Sequence, residues 1–188
     1  LGQDGRVIDE VHEARTNGII FDLGHGAGSF HYDVAKQAVQ QGFLSDVIST
    51  DLHVYSLFDP VHSLPETASK LLNLGLSFEE IVAQTTVNPA SAIGREKDLG
   101  TLRPGSIADI SVFDINEGAY TFTDSHGHQE QGPLLIEPAV TMRGGELYYP
   151  SSLRHEIEDA TQRALEMKSI TGIPYGAVRG DNAPVIQK

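Results

Sequence analysis

The first hundred residues alternate between two hydrophobic spacings. Ile8, Val11 and Ala14 fall at helical intervals, which predicts a helix from Val7 to Asn17 closed by the left-handed stop of Asn17-Gly18. Ile19 to Leu23 is a short, nearly continuous apolar run, as expected of a parallel strand covered on both faces. It ends in Gly24-His25-Gly26-Ala27-Gly28-Ser29-Phe30, where glycines permit close backbone approaches. A second cycle follows. Val34, Ala35, Ala38 and Val39 predict a helix from Asp33 to Gln41, with Asp33 as cap and Gly42 as stop. Asp46 to Ser49 then reads as a second strand, running into the polar tip Thr50-Asp51-Leu52-His53. Leu64, Ala68, Leu71 and Leu72 predict a helix to Leu74; another starts behind Ser77, with Glu80 three residues on, and Asn88-Pro89-Ala90 opens a short third.

The pattern changes at the turn cluster Gly100-Thr101-Leu102-Arg103-Pro104-Gly105. Beyond it, Ile107–Phe113, Ala119–Thr123, Val140–Arg143 and Glu146–Tyr149 read as short strands between glycine-rich turns. Ser151 to Lys168 predicts a charged surface helix, and Gly172 to Lys188 has no period. The expected organisation is therefore an α/β part over 1–94, a β-rich part over 95–150, and a helix with an irregular tail over 151–188. Helix, strand, glycine loop, helix, strand and polar tip form the repeat of a βα barrel or a doubly wound sheet, and in both the chemistry sits where strands end.

Composition narrows the function. A formal net charge of −13 opposes nucleic-acid phosphates and acidic lipid headgroups. No apolar run is long enough to span a bilayer. With no cysteine, thiolate chemistry and Cys-ligated zinc are excluded, and a reducing cytoplasmic location fits best. The start, Leu1-Gly2-Gln3-Asp4-Gly5, has neither Met nor a targeting pattern, and is expected to be internal to a longer polypeptide.

Asp51 is the sharpest chemical feature. A carboxylate at the carboxyl end of a strand can hold a metal and take a proton from metal-bound water, or it can cap the next turn; spacing alone leaves both open. His25 can ligate a metal, hold a substrate or hydrogen-bond its own loop. The Gly24 to Gly28 stretch lacks the Lys-Ser/Thr of a phosphate loop and departs from G-x-G-x-x-G, which weakens a nucleotide-binding reading. His126-Gly127-His128 has the look of a metal pair, but its polar surroundings favour an exposed loop. No nucleophile elbow surrounds Ser29.

Phe21 to Phe30, Ile48 to His53, Thr85-Thr86-Val87-Asn88-Pro89-Ala90 and Gly100 to Asp109 together resemble the amidohydrolase superfamily. The first two segments resemble its deacetylase and dihydroorotase-like branch. The resemblance implies the carboxy-terminal part of a (β/α)8 barrel, its last two βα units, followed by a small β-sandwich subdomain. It implies one or two divalent metals, often zinc, with Asp51 as metal ligand and as general base and acid. His25, Ser29 and His53 would contact the substrate, a small acylated molecule whose amide or ester bond is hydrolysed. The family's H-x-H, its carboxylated Lys and two further His ligands would lie upstream of Leu1, so this chain is expected to be inactive alone and to associate with the remaining barrel or with copies of itself. The competing expectation is a noncatalytic subunit or scaffold that keeps the fold without the metal.

Overall fold

A computed structural model describes residues 1–53, 56 and 60–150. Its first helix, α1 (Asp9–Thr16), stops at Asn17, and Gly18 takes φ +87° as the left-handed stop requires. The first strand, β1, is confined to Asp22–Leu23 and pairs in parallel with β2 (Val47–Ile48). Both are shorter than the apolar runs that contain them. A strand needs a neighbour, and Ile19 and Ile20 are more than half exposed with no partner strand among the described residues.

Between these strands, α2 (Tyr32–Gln40) is capped two residues earlier than expected. His31, not Asp33, is the N-cap, its Nδ1 accepting the Asp33 N–H at 3.2 Å. Gly42 (φ +73°) ends the helix as predicted. Helix α3 (Leu64–Asn73) starts behind Ser63, whose hydroxyl accepts the Glu66 N–H. Helix α4 (Phe78–Thr85) opens on the expected reciprocal box, in which the Ser77 hydroxyl accepts from Glu80 N–H and the Glu80 carboxylate accepts from Ser77 N–H. Helix α5 (Val87–Ala92) carries Pro89 in its first turn.

The β-rich part differs most from expectation. Instead of four short strands there is one long hairpin, β3 (Ile110–Thr123) with β4 (Gln129–Arg143), extended by β5 (Glu146–Tyr148) in the order β3-β4-β5. Register shifts fall between Val112 and Phe113 and between Glu117 and Tyr120. The second lies at Gly118-Ala119 opposite Pro133, and the first beside Pro138, two prolines that hide β4 from a strand reading because proline cannot donate to a ladder. A second sheet that would complete a sandwich is not found among the described residues. The hairpin packs on α3: Asn73 donates to Leu134 O at 2.7 Å and accepts from Leu134 N, while Ser69 Oγ accepts from Ile136 N at 2.8 Å. Gly132 is required there, since a Cβ would sit 2.5 Å from Asn73 Cγ.

Leu1–Pro150 form one compact unit. Its core unites Phe30, Tyr32, Ile48, Leu71, Ile81, Phe122 and Ile136, so α2, α3, α4, β2 and the hairpin close over shared apolar surface. No helix among the described residues is long and apolar enough to cross a membrane. The helix and tail expected over 151–188 lie outside the described residues.

Candidate active site at the strand ends

Parallel pairing puts the carboxyl ends of β1 and β2 side by side. The ladder continues past both strands, with Ser49 N–H donating to Leu23 O at 3.0 Å and Gly26 N–H to Thr50 O at 2.9 Å. Three polar side chains meet here, those of Asp22, Ser49 and Asp51. Ser49 Oγ donates to Asp22 Oδ2 at 2.6 Å. Gly24 lies against Asp51 and Ser49, a Cβ there falling 3.5 Å from each side chain. Gly26, at φ +50°, is closer still: a methyl group would overlap the Asp51 carboxylate.

Asp51 itself holds φ +48°, a left-handed conformation that Asp tolerates better than most residues at a cost of about 1–2 kcal/mol. Its side chain is exposed, and its carboxylate accepts no hydrogen bond among the described residues. Asp51 therefore does not cap the turn through its side chain. The turn is held instead by the Leu52 N–H donating to Thr50 Oγ1 and the His53 N–H donating to Ser56 Oγ, both at 3.1 Å.

His25 lies beneath this surface. Its ring is fully buried, stacked on Phe30 at 4.7 Å between centroids, and its Nδ1 is 3.0 Å from Gly26 O. Nε2 is 3.0 Å from the Lys70 ammonium, which is also fully buried. An ammonium has only protons to offer, so Nε2 must accept, which leaves Nδ1 protonated and donating to Gly26 O. Burial, then the neighbouring Lys70 charge, lowers the imidazole pKa from 6.5 to about 4. Ser125, from the hairpin turn, donates to His25 O at 3.0 Å and accepts from Phe30 N–H at 3.1 Å.

Asp124 completes the support. Burial alone would raise its pKa, but N–H donors of Tyr32, His126 and His128, with His31 nearby, outweigh it and hold the carboxyl below its usual range. His126 and His128 are thus tied by their backbone to the turn around Asp124, in keeping with loop histidines. The His128 ring pairs with Glu130 at 2.8 Å rather than joining a ligand set. Ser29 is exposed and lines an open groove of about 410 Å³ with Phe21, Leu23, Val34 and Phe43. The structure thus joins Asp51 to the glycine loop and puts His25 inside that loop's foundation, with no surface exposed to a substrate in this chain.

Asp22, Lys70, Asp124 and Ser125 stand outside the sequence candidates, and Ser49 enters only as the first residue of the Ser49 to His53 cluster. Asp22 had a signal, a carboxylate within an apolar strand run. Lys70 had none, being one polar residue on a mixed helix.

A metal would find one suitable donor here. Asp51 offers an unpaired carboxylate beside a glycine that leaves room for it, but no group of three or more His, Asp or Glu among the described residues could hold a metal ion. Catalytic zinc ordinarily has three protein ligands. Asp51 fits as one ligand; the described residues do not supply the set.

The amidohydrolase family model matches residues 25–145, from His25 through the whole β3–β4 hairpin. The chain belongs to the amidohydrolase family. A deacetylase of Agrobacterium fabrum is 41% identical over 144 residues, covering 77% of this chain and 35% of the relative. The crystal structure of an adenine deaminase superposes with a TM-score of 0.73 at 34% identity, covering 77% of this chain and 39% of that one. That of a dihydroorotase gives 0.65 at 38% identity, over 74% and 38%. The chain thus spans little more than a third of the length of the relatives it matches. Its α/β architecture is related to the TIM barrel of that family, and the family is one of hydrolases that generally depend on metal.

Proposed function

We propose that the chain is the carboxy-terminal portion of a metal-dependent amidohydrolase that removes an acyl group from an amide or ester, as a deacetylase does. The observation that carries this reading is the Asp51 carboxylate, unpaired among the described residues and set against Gly26 at the carboxyl end of β2. In the proposal β1 and β2 are the last two strands of a barrel, and Ile19 and Ile20 extend β1 once a neighbouring strand is present. Asp51 serves as one ligand of a divalent metal, zinc by preference, whose other ligands come from polypeptide outside this chain. When bound, that metal supplies an activated water. Asp51 holds and returns a proton at its carboxylate, and Ser29 and His53 face the acylated substrate from the loops after the two strands. The part assigned to His25 is to support the glycine loop from below rather than to contact substrate. The absence of cysteine supports a reducing cytoplasm.

The test is to join the chain to the upstream barrel segment of its own gene, load the protein with zinc, and measure acetate released from N-acetyl amino acids and aryl acetates. Asp51→Asn should lower kcat by about 10²–10⁴-fold, the range for loss of a general base. Full activity in Asp51→Asn would overturn the assignment. A folded protein that takes up no zinc would favour the noncatalytic subunit.

A further inference from the structure

Lys70 is a fully buried cation on α3, far in sequence from the strand ends and used by no step above. Its ammonium donates to Pro60 O at 2.6 Å, to Thr123 O at 2.8 Å and to His25 Nε2 at 3.0 Å, and pairs with Glu66 at 3.2 Å. Those partners belong to separate parts of the fold: the segment before α3, the end of β3, the glycine loop and α3 itself. Burying a cation is unfavourable unless partners offset the lost hydration, and a Leu or Met at this position would fill a core without that penalty. Lys70 does something an apolar residue could not: it donates to an imidazole.

That bond has a direction. With Nε2 accepting from Lys70, the opposite nitrogen carries the proton and donates to Gly26 O. Gly26 in turn donates its N–H to Thr50 O, and its Cα borders the Asp51 carboxylate. A continuous path therefore runs from the α3 ammonium through the ring to the turn that seats Asp51.

We propose that Lys70 is a positioning residue: by fixing the protonated nitrogen of His25 it pins Gly26, and so sets where the Asp51 carboxylate can stand. The inference rests on the reading of Asp51 as a metal ligand. Groups that orient a ligand from behind typically contribute 10- to 100-fold to metal affinity.

Two measurements test it. In the full chain, ¹⁵N NMR of the His25 ring should show Nδ1 protonated and Nε2 bare at neutral pH, and Lys70→Met should weaken that preference, leaving the Gly26 carbonyl alone to hold it, and speed hydrogen exchange of the Gly26 amide. A ring protonated at Nε2 in the unaltered chain would overturn the proposal. In the complete enzyme, zinc affinity measured against a chromogenic chelator should fall 10- to 100-fold in Lys70→Met. Should that variant fail to fold, His25→Gln serves instead, because it keeps an acceptor for Lys70 while losing the simultaneous bond to Gly26 O; it should show the same loss with a cooperative thermal transition. Unchanged zinc affinity in either folded variant would refute the positioning role. Asp51→Asn separates the two readings. If it leaves zinc affinity intact, the ligand assignment fails; if it abolishes binding while Lys70→Met and His25→Gln do not, only the positioning proposal fails.

Discussion

Two aspartates flank β2, and the chain treats them oppositely. At the amino end, Asp46 Oδ2 accepts the Phe21 N–H at 2.8 Å and lies 3.3 Å from the Arg15 guanidinium. That guanidinium stacks on Phe43 at 3.9 Å and donates to Leu44 O, while Asn88 donates to Asp46 O at 2.8 Å. At the carboxyl end, Asp51 has glycines for neighbours and a strained backbone. The same residue type is spent on structure at one end and kept unpaired at the other. In a βα fold that difference separates the end that holds the strands together from the end available for chemistry.

The comparison can be broken in order of size. The largest effect on stability should come from beneath the carboxyl end, at His25. Its folded pKa of about 4 lies below the 6.5 of a free imidazole, so the unfolded chain binds the extra proton between those values. The stabilisation is complete above about pH 6.5, is lost as pH falls toward 4, and amounts to roughly 3 kcal/mol at about 1.4 kcal/mol per unit. Urea unfolding from pH 7 to pH 4 should show this slope, and His25→Gln should remove it. Asp46→Ala should cost about 2 kcal/mol, because it leaves the Phe21 N–H without its acceptor and takes the carboxylate from a half-buried guanidinium that keeps Leu44 O; chemical denaturation measures it. Gly26→Ala should cost about 1–2 kcal/mol for a left-handed alanine and displace the Asp51 side chain, visible as a changed amide shift at Asp51. Smallest is Asp51→Asn, which should move the stability of the chain by no more than about 0.5 kcal/mol, since the folded protein makes no bond to that carboxylate among the described residues. A loss of 2 kcal/mol there would erase the contrast between the two ends.

Much of this was readable beforehand, for identifiable reasons. Helices α1 to α5 announced themselves through period and punctuation: Gly18 and Gly42 as stops, Ser77 with Glu80 as a reciprocal cap. Asp51 is legible because a carboxylate closing an apolar run is conspicuous. The long hairpin was not legible, because Gly118, Pro133 and Pro138 interrupt the alternation that register shifts then absorb. The His31 cap is not legible because imidazole is an uncommon acceptor at that position, and the nearby Asp33 is a common one. Lys70 and Asp124 matter through partners 45 and 92 residues away, His25 and Tyr32, and no local pattern encodes such a meeting.

The way α3 meets the hairpin has its own consequence. Asn73 and Ser69 occupy the N–H and C=O groups of β4 at Leu134 and the N–H at Ile136. Along that stretch the helix substitutes for a neighbouring strand and removes the template on which a foreign chain could grow. Any fibril-like or swapped association through this sheet must begin instead at its other edges, β5 or the outer margin of β3, where charge reversal or a proline would be the means to prevent it.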